Sequence, residues 1–268
     1  MKDGSLPEFS KIEPKHISNA VDEILKSNIL AIKKIEKKNI TATWENFVIP
    51  LEKIDEKISR VWSQVSHLNS VVNSESIRKE YNINTEKITN YYSDLAQNIE
   101  IFKGFQRLRE RKNYTHLSSV QKKIINDEIS GFSLGGVALP KNKRESFKKI
   151  KSQLSKLGSK FEENILDSIN NYSLHIKSKS EIKGIPSDVL KNAKKLAKEK
   201  NKDGWCFTLD FPCYIPLMQY AENRGLRKKM YEAYATKASD KSKDKFDNSS
   251  CINEILILKT KNSFFQFH

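Results

Sequence analysis

The stretch Pro50-Leu51-Glu52-Lys53-Ile54-Asp55-Glu56-Lys57-Ile58-Ser59-Arg60-Val61-Trp62-Ser63-Gln64-Val65-Ser66-His67-Leu68 decides the fold class. Its apolar residues Leu51, Ile54, Ile58, Val61, Val65 and Leu68, with Val72 beyond, alternate steps of three and four. That spacing lines them along one face of an α-helix. Pro50 suits a first turn, where its missing N–H has no intrahelical partner to lose. Such a stripe is stable only when it is buried against other stripes.

Working outward, those partners are present. After Glu13-Pro14 the residues Ile17, Val21, Ile24, Leu25, Ile32 and Ile35 share a face. From Ser74 a third segment carries Ile88, Tyr91, Leu95, Ile99 and Phe102. Gly135-Gly136 and Leu139-Pro140 punctuate the chain, and a long helix follows with Phe147, Ile150, Leu154, Leu157, Phe161 and Ile165, running to the break at Gly184-Ile185-Pro186-Ser187. A short basic helix then reaches Gly204. Helical pattern returns over Ile215–Ala238, with Met218, Ala221, Leu226, Met230 and Tyr234. A polar stretch, Ser239–Ser250, separates it from a last short helix, Ile252–Leu258. The expectation is a mainly α protein, an antiparallel stack of long helices with one short strand region. No repeat of 20–50 residues is evident, which argues against a solenoid.

The strand region is Trp205-Cys206-Phe207-Thr208-Leu209-Asp210, where Trp205, Phe207 and Leu209 face one way and Cys206, Thr208 and Asp210 the other. A strand must pair its backbone groups. The only candidate partner in the sequence is the stretch Phe132–Leu139; failing that, the strand hints at structure outside the chain. The closing Ser263-Phe264-Phe265-Gln266-Phe267-His268 is apolar and fits no periodic face.

Composition bounds the function. The chain has 268 residues and a formal net charge of +15, built from 40 Lys and only 8 Arg spread along its length. Arg clusters, whose planar fork binds two acceptors at once, suit phosphate or base recognition better than scattered Lys. The densest run, Lys191–Lys200, reads as a solvated helix face, and nucleic acid is an unfavoured partner. Three Cys, none in a CxxC, exclude a disulfide framework or zinc ribbon and fit a reducing compartment. No apolar run approaches the ~18 residues of a membrane span, and Met1-Lys2-Asp3 leads into polar sequence rather than a signal-peptide core, so a cytoplasmic location is expected.

Generic motifs are lacking: no P-loop, no GxGxxG, no G-x-S-x-G. None of His16, His67, His116, His175 and His268 is followed by Glu, and no two stand four apart, so HExxH is absent. His67 reads as packed or half-exposed and His16 as a surface residue at a helix start. Cys206 and Cys213 read as small packing residues, Gly135-Gly136 as a turn, and Glu162-Glu163 as a solvated face. No catalytic, cofactor-binding or metal residue is assigned.

One long pattern is more specific. Gly204-Trp205-Cys206-Phe207-Thr208-Leu209-Asp210-Phe211-Pro212 continues through Tyr214, Pro216, Met218, Tyr220-Ala221-Glu222-Asn223-Arg224 and Leu226-Arg227 to Tyr231, Tyr234 and Ala238-Ser239-Asp240. It resembles the oligopeptidase A branch of the thimet-oligopeptidase-like zinc metallopeptidases. Leu6-Pro7-Glu8-Phe9-Ser10-Lys11-Ile12 with His16-Ile17, Thr43-Trp44-Glu45-Asn46, Pro50-Leu51-Glu52, and the segment from Leu139-Pro140 to Phe161-Glu162-Glu163-Asn164 are similar to the same family. The resemblance runs in order over about residues 5–258.

It implies the N-terminal lobe of a two-lobed, α-rich peptidase that encloses a narrow channel and cuts short intracellular peptides. The family's zinc is held by both His of HExxH and a later Glu, the motif's Glu activating the metal-bound water; these belong to the family's C-terminal half. The resemblance therefore implies an N-terminal helical domain over 1–183, the start of a peptidase domain over 184–258, and a non-family tail over 259–268. It implies no zinc bound by this chain, no activity of the chain alone, and short peptides as ligands of the full-length family; a second version of the reading keeps the enzyme, with a separately encoded C-terminal half as partner. The alternative of another class is a basic helical module binding RNA or an acidic protein.

Overall fold

A computed structural model describes residues 6–242 and 244–267, the last two by backbone alone; Met1-Lys2-Asp3 and His268 lie outside the described residues. The structure is mainly α, as the stripes require, with one small two-stranded sheet. Two compact units are formed, Met1–Lys156 with Leu258–His268, and Leu157–Ile257. These are units of packing, whereas 1–183 and 184–258 is a division by resemblance, and the bounds differ.

In the first unit, α1 (Pro14–Glu36), α2 (Ile49–Val71) and α3 (Glu75–Ala96) pack on one another. Pro14 and Pro50 each occupy a first turn. Ile17, Val21, Ile32 and Ile35 of α1 are buried, as are Ile54, Ile58, Val65 and Leu68 of α2. Val72, past the end of α2, is exposed. A π-helical turn, Trp44–Val48, leads into α2 and buries Phe47 completely.

The third segment is broken where one continuous helix was expected. Asn98 accepts hydrogen bonds from the N–H groups of Glu100 and Ile101, both 3.1 Å, and starts a separate helix, α4 (Ile99–Glu110). This new start turns Ile99 outward and buries Ile101, Phe105 and Leu108 instead. The next helix, α5 (Ser119–Leu134), opens on a capping box of Ser118 and Gln121 and buries Ile125, Ile129 and Phe132. With Phe47, Tyr91 and Phe105 these residues form the main core of the unit.

The long helix α6 (Lys141–Asn171) ends thirteen residues before the glycine–proline break that was expected to stop it. The reason is a strand, β1 (Leu174–Ile176), which pairs antiparallel with β2 (Trp205–Phe207) in the register Leu174↔Phe207 and Ile176↔Trp205. The partner is therefore not Phe132–Leu139, which belongs to α5 and its turn, and the strand does not lack a neighbour. Between the strands lies α7 (Ser187–Glu199), with Val189, Ala193 and Ala197 inward.

After β2 the expected single helix is two, α8 (Phe211–Tyr220) and α9 (Arg224–Ala235), separated where Asn223 caps the N–H of Leu226. Phe207, Leu209, Leu217, Leu226 and Met230 form the core of the second unit. Tyr214 and Tyr234 stack at 4.1 Å. Asn248 donates to the Phe161 carbonyl at 3.1 Å and accepts from Asn164 at 2.7 Å, anchoring the polar stretch before the last helix. That helix, α10 (Ser249–Phe267), is far longer than Ile252–Leu258 and takes in most of the apolar terminus. Within the first unit Phe265 meets Phe147 edge-on at 6.3 Å.

Candidate functional site

A cavity of about 610 Å³ lies in the first unit, walled mainly by α2, α3, α4 and α5. Its floor is the core just described, including Leu95, Ile101, Phe105 and Phe132. Its rim is acidic. Glu52, Asp55 and Glu56 stand at i, i+3 and i+4 on α2, so they share one edge of that helix, and Glu128 faces them from α5. No Lys, Arg or His is among the lining residues.

The rim carboxylates are not equivalent. Glu56 pairs with Arg60 at 2.6 Å. Asp55 accepts a hydrogen bond from the Tyr92 hydroxyl at 2.7 Å. Glu52 and Glu128 form no ion pair among the described residues. Partial burial against the wall, then the charges of Asp55, Asp127 and Glu52, hold the Glu128 carboxyl above the ordinary carboxylate range. Burial likewise raises the Tyr92 hydroxyl, with Asp55 adding to the shift.

Tyr91, beside it, is buried, and its hydroxyl makes no hydrogen bond of ordinary geometry. Burial pushes that hydroxyl up to about 12. Asn28, which faces it, gives its amide instead to the Ile54 carbonyl at 2.9 Å. The two tyrosine rings sit edge to face at 5.3 Å.

A smaller cavity of about 240 Å³ in the second unit is lined by Asn192, Cys206, Thr208, Asp210 and Cys213 among others. Burial raises the Cys213 thiol, and its sulfur accepts a hydrogen bond from the Thr208 N–H at 3.4 Å. Cys206 is buried and, like Cys213, carries a free thiol. Cys206 and Cys213 are thus small packing residues.

The other residues singled out from sequence are scattered. His16 accepts from the Glu13 N–H at 3.2 Å as part of an N-cap and is exposed. His67 is exposed too, its ring tilted against that of Phe9 at 5.0 Å. His116 ends a short helical turn, and His175 lies on β1 against the Asp203 carbonyl. Gly135-Gly136 is the turn after α5, with Gly136 at φ +84. Glu162 is exposed and Glu163 half-buried. Lys191, Lys194, Lys195, Lys198 and Lys200 all face solvent around α7, as a solvated face does.

Among the described residues no three His, Cys, Asp or Glu side chains converge on a point where a metal ion could sit. The zinc that the resemblance implies finds no ligand set here, and no chemical step is routed through it. No described helix is long and apolar enough to cross a membrane.

The acidic rim was not foreseen. A signal existed, three carboxylates on one edge of α2 in a Lys-rich chain, but its fourth member stands on α5, which the apolar spacing did not reveal.

Comparison with known proteins brings the pieces together. The family model of the Neurolysin/Thimet oligopeptidase N-terminal domain matches residues 21–144. The chain is 36% identical over 256 residues to oligopeptidase A of Escherichia coli strain K12, covering 95% of this chain and 38% of the relative. It is 36% identical over 258 residues to oligopeptidase A of Haemophilus influenzae, covering 96% and 38%. It is also 32% identical over 265 residues to a probable cytosolic oligopeptidase A of Arabidopsis thaliana, covering 96% and 37%. The chain thus spans less than two fifths of the length of these curated relatives.

Proposed function

We propose that the chain, which matches the N-terminal part of oligopeptidase A and the N-terminal domain model of the Neurolysin/Thimet oligopeptidase family, supplies the peptide-enclosing wall of a cytoplasmic zinc oligopeptidase. In this reading residues 1–183 are the helical domain, 184–258 open the peptidase domain, and 259–268 stand outside the family pattern. Its ligands are short peptides, which it helps to admit and orient. The zinc ligands and the general base come from polypeptide corresponding to the rest of the relatives' length.

The observation that carries this reading is the combination of 36% identity along 95% of the chain with the absence of a converging ligand set among the described residues. Selecting a peptide requires a shaped wall. Polarising its carbonyl and generating a nucleophile at neutral pH require electrophilic groups placed within bonding reach, and among the described residues no three His, Cys, Asp or Glu side chains converge to hold a metal ion. In this reading the 268-residue polypeptide does not hydrolyse peptides alone.

The test is a quenched fluorescent peptide incubated with the purified chain, with added zinc, with chelator, and with a separately expressed catalytic half. The expected result is no turnover by the chain alone and chelator-sensitive turnover when the two pieces are mixed. Chelator-sensitive hydrolysis by the chain alone would overturn the proposal.

A further inference from the structure

The acidic cavity of the first unit takes no part in the reading above, and its features need an explanation of their own. A chain of net charge +15 builds a cavity of about 610 Å³ without one cationic side chain in its wall. Two of its carboxylates, Glu52 and Glu128, form no ion pair among the described residues. Deeper in, the Tyr91 side chain is buried and its hydroxyl makes no hydrogen bond of ordinary geometry, with Asn28 facing it. The volume falls in the usual range for small-molecule sites, roughly 300–1,000 Å³.

Gly131 is a second, independent sign that the space is kept open. It lies inside α5 and lines the cavity, and a Cβ placed on it would meet no atom within 4 Å. Its φ is ordinary for a helix, so neither a turn nor a close approach calls for glycine. A larger residue would gain helix propensity and fill the space.

The chemistry of the lining narrows the ligand. A bare divalent cation is a poor match, because the carboxylates are strung along the rim and do not converge. An anion is repelled by the rim. A neutral apolar body would satisfy the floor and leave Glu52 and Glu128 uncompensated. What complements both parts is a positive head on an apolar body.

We propose that this cavity is a binding site for an organic monocation, a protonated amine carried on an apolar body. The body lies against Phe105, Phe132 and Leu95, where removal from water drives association. The ammonium sits at the rim between Glu52 and Glu128, donating hydrogen bonds to their carboxylates.

The probe is dansylcadaverine, a fluorescent apolar amine, titrated against the full 268-residue chain. Its N-acetylated form, of the same body but neutral, is titrated alongside. The expected result is saturable binding of one amine per chain, weakened by about tenfold on acetylation. Gly131→Leu, which plugs the cavity, abolishes binding. The double variant Glu52→Gln/Glu128→Gln, which alters rim charge and not the core, weakens the amine by about tenfold and leaves the acetylated probe unchanged. Circular dichroism confirms that each variant is folded, and the rim variant carries the test should the plugged one not fold. No saturable binding, equal affinity for the neutral probe, or amine affinity indifferent to the rim substitutions would overturn the proposal. Peptide hydrolysis enters none of these readouts.

Discussion

Two glycines in neighbouring helices of the first unit should respond oppositely to the same substitution. Gly104 of α4 lies against Phe47: a Cβ there would come within 2.6 Å of the ring's Cε2 and closer still to its Cζ. Ordinary carbon contacts are about 3.5–4.0 Å, so ring and helix must separate by roughly 1 Å. Neither moves easily. Phe47 is 0% exposed and is held edge-on by Phe105 at 5.2 Å, while Ile101 and Leu108 pin the same face of α4. Overpacking of this kind costs about 1–3 kcal/mol, against about 1 kcal/mol gained in helix propensity. Gly104→Ala should therefore destabilise by up to about 2 kcal/mol, lowering Tm by several degrees. Gly131→Ala meets open space and should stabilise by about 0.5–1 kcal/mol. Thermal and urea melts followed by circular dichroism read both. Adding Phe47→Leu to Gly104→Ala should recover part of the loss, with a coupling above about 0.5 kcal/mol. A Gly104→Ala chain as stable as the parent, or with no coupling to position 47, would refute the reasoning.

The raised Glu128 carboxyl makes a pH prediction. Its folded pKa lies above the unfolded value of about 4.3, so the native state binds the proton more tightly. Its contribution is then fully present below that value and is lost as pH rises through the folded pKa. Glu128→Gln should raise Tm at pH 7 and change it little at pH 4; an equal shift at both pH values would contradict this. In the second unit, Gly204 has φ +89, and a Cβ there would run into the Ile176 carbonyl oxygen, next to the β1–β2 pair. Gly204→Ala should cost more than about 1 kcal/mol, and faster amide exchange at Ile176 and Trp205 would check it; unchanged exchange would count against the pairing.

What sequence could and could not show follows from where the information resides. The starts of α1 and α2 were legible because Pro14 and Pro50 mark them and uninterrupted stripes follow. The break between α3 and α4 was not, since Gln97-Asn98 holds no glycine or proline, and Asn98 acts only through side-chain geometry. β1 is three residues long, too short for alternation to register, and its partner lies some thirty residues away. The length of α10 was hidden by reading its end as a departure from the family pattern, although nothing from Ile252 to Phe265 breaks a helix. The absence of HExxH was plain from the histidine positions. The acidic cavity depends on α2 and α5 meeting, which no local pattern reports.

Zinc stoichiometry tests the central claim most directly. The purified 268-residue chain would be equilibrated with zinc, dialysed exhaustively, and analysed by mass spectrometry for metal per polypeptide. A wall without a metal-binding set retains far less than one zinc per chain, unaltered when its histidines are substituted together. Retention of one zinc per chain, lost on histidine substitution, would contradict it.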